Sequence, residues 1–169
     1  MQQAVYVKDL GNMEYGEAWS FQDSLLLENT NKKIKLAKGE AAGETIHHLL
    51  FCEHPPVYTL GKSGKEEHVL ISKEELAKRN IGYYPTNRGG DITFHGPGQV
   101  VGYPIIDLEK FFTDIGRYLR FLEDVIILTL DHYGLKGERS PGETGVWLDP
   151  SNKMMARKIC AMGVRCSRW

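Results

Sequence analysis

The chain has 169 residues, 41% of them hydrophobic, enough for one domain with a single sizeable core. Its 21 basic and 22 acidic residues leave a formal net charge of −1, which removes the broad electrostatic drive of nucleic-acid binders and makes a DNA or RNA role unexpected. Residues 1–10 lack the basic start and apolar run of a signal peptide, and no apolar stretch reaches the roughly 18 residues of a membrane span, so a cytoplasmic protein is expected.

Residues 4–10 alternate as a strand, with Val5 and Val7 on one face. The spacing of Tyr15, Ala18, Trp19, Leu25 and Leu26 predicts a helix over 15–29. The lysine-rich stretch 31–38 reads as a solvated helix end or loop. A buried strand over 48–53 is stopped by His54-Pro55-Pro56, where two prolines forbid a continuing ladder, and extended structure resumes over 57–60. Ser72 followed by Glu75 is a capping box, which predicts a short helix over 72–79. Strands are expected over 82–86, entering a glycine-rich segment, and over 99–107, leaving it. The clearest helix spans 114–133, with Ile115, Leu119, Leu122, Ile126, Leu130 and Tyr133 as its buried stripe and Thr113 as N-cap. A hairpin follows, with strands over 145–148 and 158–164 around a polar, proline-marked turn at 149–152. Strands and helices do not alternate regularly. That order predicts an α+β fold, a mixed sheet with helices packed on it, in a single catalytic domain over 1–169.

Three segments could hold chemistry. The strongest is Arg88-Gly89-Gly90-Asp91-Ile92-Thr93-Phe94-His95-Gly96-Pro97-Gly98-Gln99. Its glycines let a ligand approach the main chain, Arg88 offers a fork of donors for a carbonyl, carboxylate or phosphate, and His95 can move a proton near neutrality. A long hairpin whose glycines merely serve turns is the plain alternative, and the density of glycine, arginine and histidine favours function. No Gly-Lys-Ser/Thr follows, so it is not a nucleotide P-loop. In the second segment the double proline fixes a bend at His54, whose significance depends on that bend facing the Arg88 segment. The third, Lys158-Ile159-Cys160-Ala161-Met162-Gly163-Val164-Arg165, places a lysine in an apolar strand. Burial there would need a partner or a chemical role, whereas a strand-end lysine would reach water. Cys160 would share a face with Lys158 by the two-residue period. The three cysteines, Cys52, Cys160 and Cys166, form neither an even disulfide set nor a C-x-x-C pair, and neither a metal nor a cofactor is expected.

Together these segments, with Tyr58-Thr59 and Gly145-Val146-Trp147 in the same order, resemble the lipoyl (octanoyl) transferases over nearly the whole chain. The resemblance implies a biotin/lipoate protein ligase-like fold. It implies transfer of an octanoyl group from octanoyl-acyl carrier protein, through a cysteine thioester, to the specific lysine of lipoyl domains of 2-oxoacid dehydrogenases and of the glycine cleavage H protein, with neither nucleic acid nor membrane as partner. Thiolate suits such a step because it is both a good nucleophile and a good leaving group. By the same resemblance, Lys158 is the lysine that lowers the cysteine's pKa. Arg88, Gly89, Gly90, Asp91, Ile92, Thr93, Phe94 and His95, with Ala161, Met162 and Gly163, match substrate-contacting stretches, and His54 matches a histidine beside the acyl site. The family's nucleophile stands in a Pro-Cys-Gly context downstream of the lysine strand. No such segment occurs up to Trp169, so the chain reads as C-terminally incomplete relative to the family and inactive as it stands. The competing readings are an adenylating lipoate- or biotin-protein ligase, which would need ATP, and a non-catalytic protein that binds acyl chains or their carrier.

Overall fold

The computed structural model describes residues 3–167. They fall into two compact units, one of residues up to 112 with Ser167, the other Thr113–Cys166.

The first unit holds two mixed sheets. In one, β1 (Val5–Asn12) runs parallel to β2 (His47–Glu53), which pairs antiparallel with β6 (Val101–Ile105). In the other, β3 (Val57–Leu60) is central, parallel to β4 (Gly82–Pro85) and antiparallel to β5 (Ile92–His95). Pro55 and Pro56 separate β2 from β3 and hand the chain from one sheet to the other. The mixed α+β character follows the sequence expectation. The strand β5 does not: it lies inside the glycine-rich segment, which is a loop, a strand and a second loop.

Helix α1 (Tyr15–Ala37) starts at Glu14, whose carboxylate accepts the Gly16 N–H at 2.7 Å. It continues through the lysine-rich stretch, where two of the four lysines are paired. Lys32 meets Glu28 at 2.7 Å one turn back, and Lys33 reaches Asp107 at 2.8 Å and Glu109 at 3.0 Å. The short helix α2 (Lys73–Lys78) has the expected Ser72 cap, its hydroxyl accepting from the Glu75 N–H. Ala18, Leu50, Cys52, Val57 and Leu60 lie at the centre of this unit, all buried.

The second unit consists of α3 (Ile115–His132) and the antiparallel hairpin of β7 (Val146–Leu148) and β8 (Arg157–Cys160). Asp114, not Thr113, caps α3, because its carboxylate accepts the Arg117 N–H at 2.9 Å. The expected stripe is only half-covered, and Tyr133 stands past the helix end, 73% exposed. The side chain that α3 buries fully is a charged one, Glu123. β8 ends at Cys160, so residues 161–164 are not strand.

Candidate functional site

The segment from Arg88 to Asp91 is fastened to the turn that follows β3. The N–H groups of Gly61, Lys62 and Ser63 donate to the carbonyls of Asp91, Arg88 and Gly90 at 3.0, 3.0 and 3.1 Å. A side chain at Gly61 would bring its Cβ to 2.3 Å from the Gly90 oxygen, so the two loops close only over a glycine. The Arg88 guanidinium completes the fastening. One nitrogen donates to the Thr59 carbonyl and hydroxyl, both at 2.8 Å, and to the Asp91 carbonyl at 3.0 Å, and the other donates to the Gly89 carbonyl at 2.9 Å. The fork expected to meet a substrate is, in this chain, largely spent on shaping its own loop. Asp91 is tied outward, its carboxylate 2.6 Å from His68 Nδ1. Ile92, Thr93, Phe94 and His95 form β5 opposite β3, and the Phe94 ring packs on Tyr58 with centroids 5.0 Å apart.

Behind that loop stands a cluster of rings. His54 is fully buried at the double-proline bend, and His95 lies 5.8 Å from it, centroid to centroid, at a steep angle. The bend therefore does bring His54 to the glycine-rich segment. Tyr15 at the start of α1 packs on both histidines, at 5.3 and 6.2 Å, and on Tyr84 at 5.1 Å. The Tyr103 hydroxyl lies 2.8 Å from His54 Nε2, while His54 Nδ1 lies 2.7 Å from the Met13 carbonyl. A carbonyl can only accept, so Nδ1 carries the proton and Nε2 receives the Tyr103 hydroxyl. His95 Nδ1 meets the Gln99 side-chain oxygen at 2.6 Å, which fixes its tautomer in the same way.

Desolvation governs the electrostatics of this cluster. Burial pulls the His95 pKa down against the Gln99 hydrogen bond, with His54 and Arg88 adding to the fall. Burial raises the Tyr15 and Tyr103 hydroxyls, and Arg88 opposes both shifts. Burial pushes the Cys52 thiol up to about 11, although its sulfur is 3.5 Å from His54 Nε2. The result is a set of donors and acceptors in which burial favours the uncharged forms of His95, Tyr15, Tyr103 and Cys52. Such a set suits an uncharged acyl or thioester group, whose carbonyl needs donors and whose chain needs apolar walls. A cavity of about 310 Å3 lined by Asp9, Gly11, Asn12, Phe51, Cys52, Glu53 and Val100 lies at the ends of β1 and β2, and of the ring cluster's neighbours it shares Cys52. The ring cluster is the better candidate because its polar atoms converge.

In the second unit, Lys158 is exposed rather than buried, with its ammonium 5.1 Å above the Trp147 ring. Trp147 pairs with Lys158 but Val146 pairs with Cys160, so Ile159 is an extra residue in β8. Neighbouring residues of β7 point to opposite faces, and the bulge therefore separates Lys158 from Cys160, contrary to the simple two-residue period. Burial raises the Cys160 thiol and outweighs the lowering by Lys158. Ala161, Met162 and Gly163 follow in irregular chain, with Met162 half-buried. The residues singled out from sequence thus form one group around the Arg88 segment and another around Lys158. Tyr15, Tyr84 and Tyr103 carry no such signal in the sequence, since aromatic residues in strands and helical stripes read as ordinary core; Gln99 closes the Arg88 segment itself.

By its fold the chain stands with the lipoate-protein ligases. A bipartite lipoate protein ligase from Thermoplasma acidophilum superposes with a TM-score of 0.59 over 96% of this chain and 58% of that one, at 17% identity. A lipoate-protein ligase A bound with ATP gives 0.53 over 86% and 53%, at 15% identity. Likeness at that identity speaks for the fold alone. The family itself is fixed by a match of the lipoyl protein ligase A/B catalytic domain to residues 14–169, and the chain belongs to that family. It is 57% identical over its whole length to an octanoyltransferase of Christiangramia forsetii and 54% identical to one of Flavobacterium johnsoniae, spanning 72% of the length of each. Family membership makes lipoyl or octanoyl group transfer, in general terms, the chemistry to which these residues belong.

Proposed function

We propose that this chain, read as a single catalytic domain, holds the acyl site of an octanoyltransferase that takes octanoyl groups from acyl carrier protein and serves the acceptor lysine of lipoyl domains in the cytoplasm. The observation behind this reading is the convergence of His54, His95, Tyr15 and Tyr103 behind the Arg88 segment, largely shielded from water. The backbone N–H groups and glycines from Gly89 to His95 border the acyl chain, and Met162 with Ala161 and Gly163 supplies further apolar contact. Lys158, a cation held over an aromatic face, stabilises a thiolate and moves protons during acyl transfer to and from it.

None of the chain's three thiols fills the nucleophile's place. Cys52, with a pKa of about 11, leaves about one thiol in ten thousand ionised at neutrality, and its neighbouring histidine nitrogen already accepts from Tyr103. Cys160 is raised as well and faces away from Lys158. Cys166 is exposed in irregular chain, with no strand or helix to hold it against an acyl group. The 169-residue polypeptide accordingly binds an octanoyl donor without completing transfer.

The test is intact mass spectrometry of the chain and an unmodified lipoyl domain after incubation with octanoyl-acyl carrier protein, beside calorimetry of donor binding. Saturable binding that depends on the octanoyl group, with no octanoyl mass gained by chain or domain above a no-enzyme control, is the expected result. Octanoylated domain would refute the missing nucleophile, and absence of octanoyl-dependent binding would refute the acyl site. Domain modification that required ATP and free octanoate would replace transfer with ligation.

A further inference from the structure

Glu123 is the only buried side chain that α3 contributes among the described residues, and it is a carboxylate. A charge in that position survives only if its oxygens are occupied. They are. One oxygen accepts the Gly145 N–H at 2.9 Å, and the other accepts Arg139 Nε at 2.7 Å and an Arg120 guanidinium nitrogen at 2.8 Å. Arg139 is itself clamped, donating to the Arg120 carbonyl at 3.0 Å and pairing with Asp124.

Both chain segments that Glu123 grips border the lysine's platform. Gly145 immediately precedes β7 at a φ of +113°, and a Cβ there would come within 2.3 Å of the Cys160 carbonyl oxygen and 2.9 Å of Lys158 Cε. Gly145 is therefore the floor against which the lysine stem lies. Arg139 adjoins Glu138, which exchanges two backbone hydrogen bonds of 2.8 Å with Trp147, the residue whose ring sits under the Lys158 ammonium. Glu123 thus holds the start of β7 from one side and the chain flanking Trp147 from the other. Across β7 from the Glu138 bridge, the bulge at Ile159 in β8 sets Lys158 opposite Trp147.

We infer that Glu123, clasped by Arg120 and Arg139, is a positioning residue for Lys158: it fixes the Gly145 and Trp147 backbone so that the ammonium is held at one place above the indole. The functional weight of this inference rests on the proposed role of Lys158, but its geometry does not. With the clasp opened, the hairpin still pairs, while the lysine loses its fixed seat.

The experiment reads the lysine directly. In the full chain, lysines are reductively methylated with 13C, and the Lys158 signal is assigned by its loss in Lys158→Arg. Seated above an indole face, it is displaced upfield by the ring current. In Glu123→Gln, which keeps an acceptor for Gly145 but gives up the charge on the arginines, that displacement is lost and the signal moves to join the other lysines. Arg139→Gln, at a partly exposed position, should cause a smaller move of the same sign and stands in if Glu123→Gln does not fold. Asn29→Ala, which weakens the other unit, should leave the signal in place. An unmoved Lys158 signal in a folded Glu123→Gln, or in Arg139→Gln if that is the variant that folds, overturns the inference, as does an equal move in Asn29→Ala. The readout requires no turnover, so it can fail while acyl transfer stands, and transfer can fail while it succeeds.

Discussion

His95 is held neutral by its surroundings, and that has a consequence for pH. Burial lowers its pKa from the ordinary 6.5, with His54 and Arg88 acting in the same direction. His47, in the same unit, is lowered by burial as well, against the pull of Asp107. A folded-state pKa below the unfolded one means that the unfolded chain binds more protons as pH falls through 6.5. Stability is then lost on acidification in that window and is flat above it. The downward shift of Asp107, where Lys33 and Thr45 overcome burial, acts only below its ordinary 3.8 and does not interfere. Urea unfolding at about pH 7.5 and about pH 5.5 should show a lower midpoint at the acid value. His95→Gln should reduce that difference by removing one of the two contributing groups. A difference as large as in the parent chain would show that His95 is protonated in the folded state.

Among the elements, α1 depends on a contact that no periodicity predicts. Asn29 is buried in its middle, its side-chain amide donating to the Ile46 carbonyl at 2.7 Å and its oxygen accepting the Ile46 N–H at 2.9 Å. It thereby satisfies both polar groups of the residue just before β2. Asn29→Ala strands them and should lower the free energy of unfolding by about 2 kcal/mol, measurable by denaturant titration. A change within error would mean that water replaces the amide. The same contrast explains what was legible in the sequence. β2 and β3 were readable because the prolines at 55 and 56 bound them, and α2 because Ser72 and Glu75 form a local signal. The last two turns of α1 read as either helix end or loop, since Lys33 finds Asp107 and Glu109 only in three dimensions. β5 was hidden by the glycines around it and by a partner, β3, some 30 positions earlier. Among the candidate residues of each unit, the Arg88 segment and His54 in the first and Lys158 in the second were visible because their residue types are chemically unusual in context. Tyr15 and Tyr103 were not, because a ring in an apolar stripe looks like core until its hydroxyl's partner is known. Glu123 gave no sign at all, since a glutamate on an amphipathic helix ordinarily faces water.

Across the whole molecule, apolar burial is unevenly shared. Leu50, Cys52, Val57, Leu60, Leu76, Ile105 and Leu108 are buried in the first unit, with Tyr15 and Ala18, whereas Val146 is the one buried hydrophobic residue of the second among those described. Phe121, Val125 and Leu128 of α3 are exposed at 45, 58 and 69%. What organises the second unit is instead the Glu123 carboxylate with two arginines and a backbone amide. Apolar burial contributes about 25 cal/mol per Å2, while a charged cluster recovers much of its attraction only by offsetting the desolvation of its members. The second unit should therefore open at a lower free energy than the first, as a separate cooperative step. Amide hydrogen exchange followed by mass spectrometry tests this, with β2 and β3 expected to be protected longest and α3 with β7 to exchange earlier. Because the cluster is ionic, added salt should speed exchange in α3 and β7 more than in β2. Equal protection of α3 and β2, with no difference in their response to salt, would mean that the half-covered face of α3 is stabilised by more than the clasp at Glu123.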